Sequence, residues 1–341
     1  MWRKLILSAL LLTGIGIGIA VPVAANAREP LPQPSPLPTS LWTRAFDLAD
    51  ERIDQSSGLF ASRVNPGVVW TFNDREGPLR LFAVGPDGRT RAVLTAGNVN
   101  AIDPEAMGGM SAPDGTAYLY VGDTGGNATP RSEVVVYRLV EPTRLADASV
   151  KATGYRLTYP DGAHDAETLL VDPRTAELYV VTKSPKGGAV YRAPAELSET
   201  GPNPMTLVRT LPYVVSDGLM AASGHMILRS YNKARVWDAV NGNETMLLNL
   251  PQQKQGEGVA LTPDGKSLLI SSEGVKSPVW RMNLPTALVP QQPRLRDVSD
   301  TAPEADARSM PSMTVTLGLG MAVVVLTAAL IFVVRAENRR V

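Results

Sequence analysis

Five segments of this 341-residue chain open in the same way, and this repetition limits what the chain can fold into. Each opening is an acidic residue or a serine followed by small and apolar residues. The five openings are Ser57-Gly58-Leu59, Glu105-Ala106-Met107, Glu167-Thr168-Leu169, Asp217-Gly218-Leu219 and Glu257-Gly258-Val259. They recur at intervals of about 50 residues, a period that indicates a repeat architecture.

Each opening begins a series of short runs rich in Val, Leu and Tyr, such as "AYLYVGD" and "ELYVVTK". Turn sequences such as "GPDG" at 85–88, "APDG" at 112–115 and "TPDG" at 262–265 separate these runs. Four segments contain four runs and the fifth contains three. The segment "WTRAFDLAD" at residues 42–50 offers a further run at the other end of the domain.

A β-propeller closes its ring by combining strands from both ends of the domain in one blade, and closure removes exposed sheet edges. The sequence therefore predicts an all-β fold, a five-bladed β-propeller over residues 41–288. Six blades remain an alternative if the connection at 141–153 contains further strands. A general all-β domain without ring symmetry is the other alternative.

Composition excludes several classes of function. The chain has 33 basic and 33 acidic residues, so its charge gives no reason to expect a nucleic-acid partner. It has no cysteine, which excludes disulfides and thiolate metal sites. Its two histidines, His164 and His225, are too few for a histidine-based zinc site.

The N-terminal residues have the pattern of an export signal. Arg3 and Lys4 precede an uncharged apolar run that ends at Ala25-Asn26-Ala27, a cleavage-site pattern, so residues 1–27 are predicted to be a signal peptide. An uncleaved N-terminal anchor is the alternative.

The Pro-rich residues 28–40 are predicted to form an extended linker.

The C-terminal residues have the pattern of a membrane anchor. Residues 313–334 contain 22 uncharged residues, which would span roughly 33 Å as a helix and predict one transmembrane segment. Residues 289–312 before it read as a flexible stalk. Arginines in the tail at 335–341 place that tail in the cytoplasm. The predicted location is the cell membrane, with a single span and the propeller outside the cytoplasm.

Ring geometry brings the repeated acids together. In a propeller, the start of the first strand and the end of the second strand of each blade meet at one mouth of the channel. The predicted strand-one starts contribute Asp103, Glu105, Asp165, Glu167, Asp217 and Glu257. The predicted strand-two ends contribute Asn73, Asp74, Asp123, Lys183, Arg229 and Glu273.

Nine carboxylates and about two cations at one mouth repel each other unless something compensates, and Ca²⁺ takes six to eight oxygen ligands. We therefore predict Ca²⁺ as a cofactor, with Asp103, Glu105, Asp165, Glu167 and Glu257 as the metal ligands. The other residues of the mouth, together with Asn127 and His164, are predicted to bind a ligand. Raised pKa values would also relieve the repulsion. The alternative is that the acids cap backbone amides or pair with Lys183 or Arg229.

Two neighbouring features are weaker candidates. The Gly-rich loop "VGDTGGN" at 121–127 precedes no helix, so it is expected to cover the mouth, with Asp123 and Asn127 as oxygen donors. His164 could act as a base beside the mouth, and an incidental loop position is the alternative. No G-x-S-x-G sequence is present to mark a serine nucleophile.

Part of the sequence resembles a known group. The string "YLYVGDTGGNATPRSEVVVYRLVEP", with its neighbours over residues 55–185, resembles exported, membrane-anchored actinobacterial proteins predicted to be β-propellers, a resemblance that implies no particular activity. "GEGVALTPDGKSLLISSE" is similar to β-propeller phytases, phytase-like esterases and calcium-dependent lactonases. That resemblance implies calcium ligands at Glu105, Glu167 and Glu257. The basic phosphate-binding set of the phytases is not recognisable, so phytate hydrolysis is not expected.

The predicted function is a membrane-tethered, extracytoplasmic module that binds or senses a ligand or protein, with Ca²⁺ at its mouth. The partner is an extracytoplasmic ligand or a membrane protein that the sequence does not identify. The alternative is a metal-dependent hydrolase of an exported ester, lactone or phosphoester, with His164 or an acid as base. A purely structural envelope protein is a third interpretation.

Overall fold

The computed structural model describes residues 35–126, 129–285 and 288, which form a five-bladed β-propeller. Among these residues no helix is long and apolar enough to cross a bilayer. The predicted signal peptide, stalk, membrane span and tail, as well as Asn127, lie outside the described residues.

Each blade is a mainly antiparallel sheet whose first strand lies at the channel and whose last strand lies at the rim; strands are numbered in chain order from β1 (Thr43–Asp47). Blade one comprises β2 (Ser56–Ala61), β3 (Val69–Asn73), β4 (Gly77–Val84), β5 (Thr90–Ala101) and β9 (Ala148–Val150). Blade two comprises β6 (Pro104–Ser111), β7 (Ala117–Asp123), β8 (Glu133–Val140), β10 (Thr153–Thr158) and β14 (Asn203–Pro204).

Blades three to five have four strands each. Blade three comprises β11 (Ala166–Val171), β12 (Leu178–Thr182), β13 (Gly188–Arg192) and β15 (Thr206–Leu211). Blade four comprises β16 (Asp217–Met220), β17 (Met226–Arg229), β18 (Lys233–Trp237) and β19 (Glu244–Asn249). Blade five comprises β20 (Gly256–Leu261), β21 (Ser267–Ser272), β22 (Pro278–Asn283) and β1.

The ring closes as the sequence predicts. Strand β1 pairs antiparallel with β22, with Thr43 opposite Arg281 and Asp47 opposite Pro278, so the N-terminal strand completes the blade of the C-terminal segment. The connection at 141–153 contains only β9 before β10 begins, and β9 adds to the outer edge of blade one. The five-bladed prediction is therefore confirmed, and the six-bladed alternative is not.

Apolar side chains fill the spaces between neighbouring blades. Between blades one and two, Phe72 and Leu81 pack in one cluster with Met107 and Leu119. Equivalent clusters lie between each following pair of blades, including blades five and one. Burial of apolar surface is the main favourable contribution to folding, so these five layers hold the ring together.

The channel is narrow beyond its mouth. The inner strands β2, β6, β11, β16 and β20 contact one another in a complete ring. Residues of the five repeated openings, among them Leu59, Met107, Leu169 and Val259, line a cavity of only about 30 Å³. That volume admits no more than a few water molecules, so this part of the channel does not hold an organic ligand.

The described end of the predicted linker lies against blade four. Leu37 forms a parallel bridge with Leu248, and its backbone N–H donates to the carbonyl of Leu247 at 2.8 Å. A short 3-10 helix, Thr39–Leu41, leads into β1. The propeller domain therefore includes backbone contacts a few residues earlier than position 41.

Candidate functional site

Three glutamates occupy the same position in three blades. Glu105, Glu167 and Glu257 each lie at a β-bulge in an inner strand, where the ladder shifts by one residue. A bulge leaves one residue outside the regular pairing and redirects its side chain. All three are almost fully buried at the start of the channel. Ser57 and Asp217 open the inner strands of blades one and four but are paired in their ladders.

Three carboxyl groups from blades one and two form the tightest cluster. Oxygens of Asp74, Asp103 and Glu105 all lie within 4.8 Å of one another, a spacing that a metal ion could bridge. Asp74 follows β3, and its backbone N–H donates to the carbonyl of Gln55 at 2.9 Å. The Ser57 hydroxyl donates to the backbone carbonyl of Glu105 at 2.9 Å and lies 3.4 Å from Oε2 of that residue.

The electrostatics of this cluster favour the neutral form of its acids. Burial, followed by the charge of Asp103, raises the pKa of Asp74 to about 7. Burial, followed by the charge of Glu167, raises the pKa of Glu105 to about 11. Carboxyl groups this close cannot all ionise unless positive charge is supplied, and a hard divalent cation with a preference for oxygen supplies it.

The blade-three acids are partly satisfied by the protein. The Lys183 ammonium donates to Oε1 of Glu167 at 2.6 Å and lies 6.0 Å from the centre of the Tyr231 ring. Burial raises the pKa of Glu167, and Lys183 opposes this rise. Asp165 accepts the backbone N–H of Gly126 at 2.8 Å, so its carboxylate also fixes the loop beside the mouth.

The blade-five acids are bridged by an amide. Nε2 of Gln255 donates to Oε1 of Glu257 at 2.7 Å and to Oε1 of Glu273 at 2.9 Å. Oε2 of Glu257 is buried and has no hydrogen-bond donor among the described residues. Burial raises the pKa of Glu257 to about 8. The hydrogen bond from Gln255 opposes this rise, and the charge of Glu273 adds to it.

Asp123 supports the site from the side and is not one of the three clustered carboxyl groups. Its oxygens accept the backbone N–H groups of Ile102 at 3.0 Å and Asp103 at 2.9 Å. Its Oδ1 also lies 3.0 Å from the Arg131 guanidinium. These bonds hold the segment that carries Asp103 and give a structural role to the Asp and the Arg of the string "YLYVGDTGGNATPRSEVVVYRLVEP".

Asp217 and Arg229 lie below the mouth and are fully buried. Oδ2 of Asp217 accepts the backbone N–H of Val259 at 2.7 Å. Arg229 donates to the backbone carbonyls of Gly258 at 2.8 Å and Ser271 at 3.2 Å. The sequence predicts that both bind a ligand, but their hydrogen bonds join blades four and five and leave them no exposed surface.

Two other predicted residues point away from the acidic cluster. His164 lies 2.9 Å from Asp161 and 3.2 Å from the Tyr191 hydroxyl, and its ring packs on Tyr159. Its ring therefore belongs to a cluster between blades two and three. The Asn73 amide accepts the backbone N–H of Gln55 at 3.2 Å and donates to the backbone carbonyl of Arg52 at 2.6 Å, so it holds the turn before β2.

The sequence interpretation missed Gln255 and Ser57. Gln255 stands two residues before Glu257, the same spacing that relates Asp103 to Glu105 and Asp165 to Glu167. Alternation along a strand places such pairs on one side. A search by position within the repeat would have found Gln255, whereas a search for charged residues could not.

No family model matches the chain, and no curated protein matches it. The chain has distant structural similarity to solved propellers. A gluconolactonase from Xanthomonas campestris is 14% identical, with 72% of this chain and 89% of that chain covered and a TM-score of 0.42. A luciferin-regenerating enzyme is 12% identical, with 68% and 79% covered and a TM-score of 0.41. A putative gluconolactonase is 15% identical, with 71% and 91% covered and a TM-score of 0.38. Similarity at this level carries no inference about the activity of this chain.

Proposed function

We propose that this protein is a calcium-binding propeller whose mouth captures an extracytoplasmic ligand. The observation that carries the proposal is the convergence of Asp74, Asp103 and Glu105, whose oxygens lie within 4.8 Å of one another. These are the hard oxygen donors that Ca²⁺ prefers. Glu105 is buried, and burial raises its pKa, so a bound cation would favour its ionised form.

The shape of the channel supports ligand capture. The cavity beyond the glutamates is only about 30 Å³, so that part of the channel is too small for an organic ligand, and the ligand would bind at the mouth. Three carboxyl groups do not complete the six to eight oxygen ligands that Ca²⁺ takes, which leaves positions for oxygen atoms of an incoming ligand. Tethering to the membrane rests on the apolar run at 313–334, and export rests on the pattern at 1–27.

Calorimetric titration of Ca²⁺ into the chelator-treated full-length chain tests the proposal. We expect micromolar binding and a melting temperature that rises with calcium, because a ligand that binds only the folded state stabilises it. Asp103→Asn and Glu105→Gln should each weaken binding. Glu51→Gln removes an exposed carboxylate that pairs with Lys276 and should leave binding unchanged. Absence of both heat and a melting shift in the unaltered chain would contradict the proposal.

Hydrolysis is the second candidate function, and the position of Asp165 beside the mouth favours it. Its carboxyl group is only partly buried, lies near Asp103 and accepts the backbone N–H of Gly126, so it is an acid within reach of the mouth whose pKa is raised by burial. A bound divalent cation would supply activation of water. Asp165 would accept the proton. His164 is not the base in this proposal, because its ring contacts Asp161 and two tyrosines.

A substrate screen separates the two candidates. Esters, lactones and phosphoesters would be tested with the full-length chain in calcium and in chelator. Hydrolysis predicts calcium-dependent turnover that Asp165→Asn abolishes while calcium binding persists. Binding without turnover in every class would leave the capture function alone.

A further inference from the structure

We infer that the mouth has a second, separate cation site on blade five, formed by Glu257, Glu273 and Gln255. The inference rests on the proposed calcium-binding function and adds to it a second ion with its own ligands. The second site lies on the side of the mouth where β20 begins and where Glu273 follows β21.

The first observation is the buried carboxylate oxygen of Glu257. This residue is 2% exposed, and its Oε1 accepts the amide of Gln255. Its Oε2 has no hydrogen-bond donor among the residues that the structure describes. An unsatisfied buried oxygen is costly, and the cost is higher for a charged group. A cation bound to Oε2 would remove this cost.

The second observation is the orientation of Gln255. One amide nitrogen donates to both glutamates, at 2.7 Å and 2.9 Å, so the two carboxylates already converge on a single point. Rotation of the Gln255 amide by half a turn about its terminal bond would exchange its nitrogen and oxygen. The amide oxygen would then face the two glutamates. An amide oxygen is a ligand that Ca²⁺ accepts. The three side chains together then offer up to five oxygen atoms.

The blade-five group is distinct from the first cluster in the ring. Strand β2 of blade one lies between β20 and β6, because it contacts both of them. The residue at the start of β2 that faces Glu105 is Ser57, which is uncharged and donates to that glutamate. Asp103 and Glu105 of blade two therefore lie on one side of Ser57, and Glu257 and Glu273 of blade five lie on the other.

The charge balance of the mouth also favours two ions. Within the described residues, seven carboxyl groups influence one another there, and the ammonium of Lys183 is the cation that pairs with them. The seven are Asp74, Asp103, Glu105, Asp165, Glu167, Glu257 and Glu273. If all seven ionise, one divalent cation leaves a large excess of negative charge at a partly buried site, and a second reduces it.

Equilibrium dialysis of the full-length chain against radioactive calcium tests the inference. The unaltered chain should bind two equivalents. Glu273→Gln should bind one, and so should Asp103→Asn, because each removes a ligand of a different ion. Glu273 is partly exposed, so its substitution should leave the fold intact, which circular dichroism and a melt would verify. Glu51→Gln is the control for loss of one surface carboxylate and should bind two.

The variant Gln255→Glu distinguishes a calcium ligand at this position from a residue with a purely structural role. It adds a third carboxylate to the group, and calcium affinity depends on the number of charged ligands, so the second site should tighten about tenfold. In chelator the same variant should melt at a lower temperature than the unaltered chain, because three like charges then meet.

The possible outcomes distinguish failure of the second cation site from failure of the proposed calcium-binding function. One equivalent in the unaltered chain, lost in Asp103→Asn and kept in Glu273→Gln, would overturn the second site and leave the first intact. No bound calcium at all would overturn both. Unchanged affinity in Gln255→Glu would remove Gln255 from the ligand set and overturn the site as described.

Discussion

The backbone N–H of Asp103 donates to Oδ1 of Asp123 across 2.9 Å, and the same oxygen lies 3.0 Å from the Arg131 guanidinium. Asp123 is therefore a positioning residue for the candidate metal ligand Asp103. Its carboxylate is almost fully buried, so it has little capacity to bind a ligand directly.

We predict that Asp123→Ala affects both stability and calcium binding. It leaves the largely buried Arg131 without its partner and two backbone N–H groups without acceptors, which should lower the free energy of unfolding by about 3 to 5 kcal/mol. Calcium affinity should also fall, because Asp103 is no longer held. Urea unfolding and calorimetry measure the two effects. Asp114→Asn, at an exposed turn, is the control, and unchanged calcium affinity in Asp123→Ala would contradict the positioning role.

The pair formed by Lys183 and Glu167 gives a second prediction. Lys183→Met leaves Glu167 buried and unpaired, so the free energy of unfolding should fall by about 3 kcal/mol at neutral pH. Glu167→Gln in the same chain should recover part of this loss, since a neutral amide needs no countercharge. A double-mutant cycle in urea measures the coupling between the two residues. Additive effects would show that the ion pair contributes nothing.

The raised pKa values of Asp74 and Glu257 predict a stability that falls with increasing pH in chelator. In the folded chain their pKa values are about 7 and about 8, above the ordinary values of 3.8 and 4.5, so the folded state binds more protons than the unfolded state between these limits. Stability must then decrease as pH rises through this window. We expect a melting temperature several degrees lower at pH 8 than at pH 5.

Calcium should reverse this dependence, because it replaces the protons at the same oxygens. Melts from pH 5 to pH 8.5, in chelator and in saturating calcium, provide the measurement. Calcium affinity itself should increase with pH up to about 8, as proton competition weakens. A flat melting profile in chelator would show that these acids are not held neutral in the folded chain.

The sequence is sufficient to predict the five-bladed ring and the residues at the ends of its inner strands. Strand periodicity and turn residues indicated the blades, and the missing fifth-blade strand was correctly assigned to residues 42–50, where β1 lies. The alignment of Glu105, Glu167 and Glu257 was also correct, since each lies at the same bulge. Position within a repeat determines which end of a blade a residue occupies, and the repeats were clear.

The direction of individual side chains was not predictable in the same way. Asp123 and Arg229 are at the expected strand ends, but both are hydrogen-bonded to backbone groups of neighbouring segments. Whether a carboxylate or guanidinium faces a channel or a backbone depends on unpaired N–H and C=O groups nearby, which only the assembled structure reveals. Gln255 shows the converse case, because an uncharged residue lies between two acids of the mouth.

Closure of the ring gives the last prediction, through two glycines at the same position of two turns with similar sequences, "GPDG" and "APDG". Gly88 has φ +78, and a Cβ added there would lie 1.8 Å from the carbonyl oxygen of Asp47, at the end of β1. Gly115 has φ +87 in the related "APDG" turn, and a Cβ there would meet nothing within 4 Å. Both alanine variants incur the cost of the left-handed backbone, about 1 to 2 kcal/mol. Gly88→Ala must in addition move the end of β1 at Asp47 or the turn that carries residue 88, so its free energy of unfolding in urea should fall by at least about 2 kcal/mol more than that of Gly115→Ala. Equal losses in the two variants would mean that β1 moves aside without cost and does not hold the ring closed.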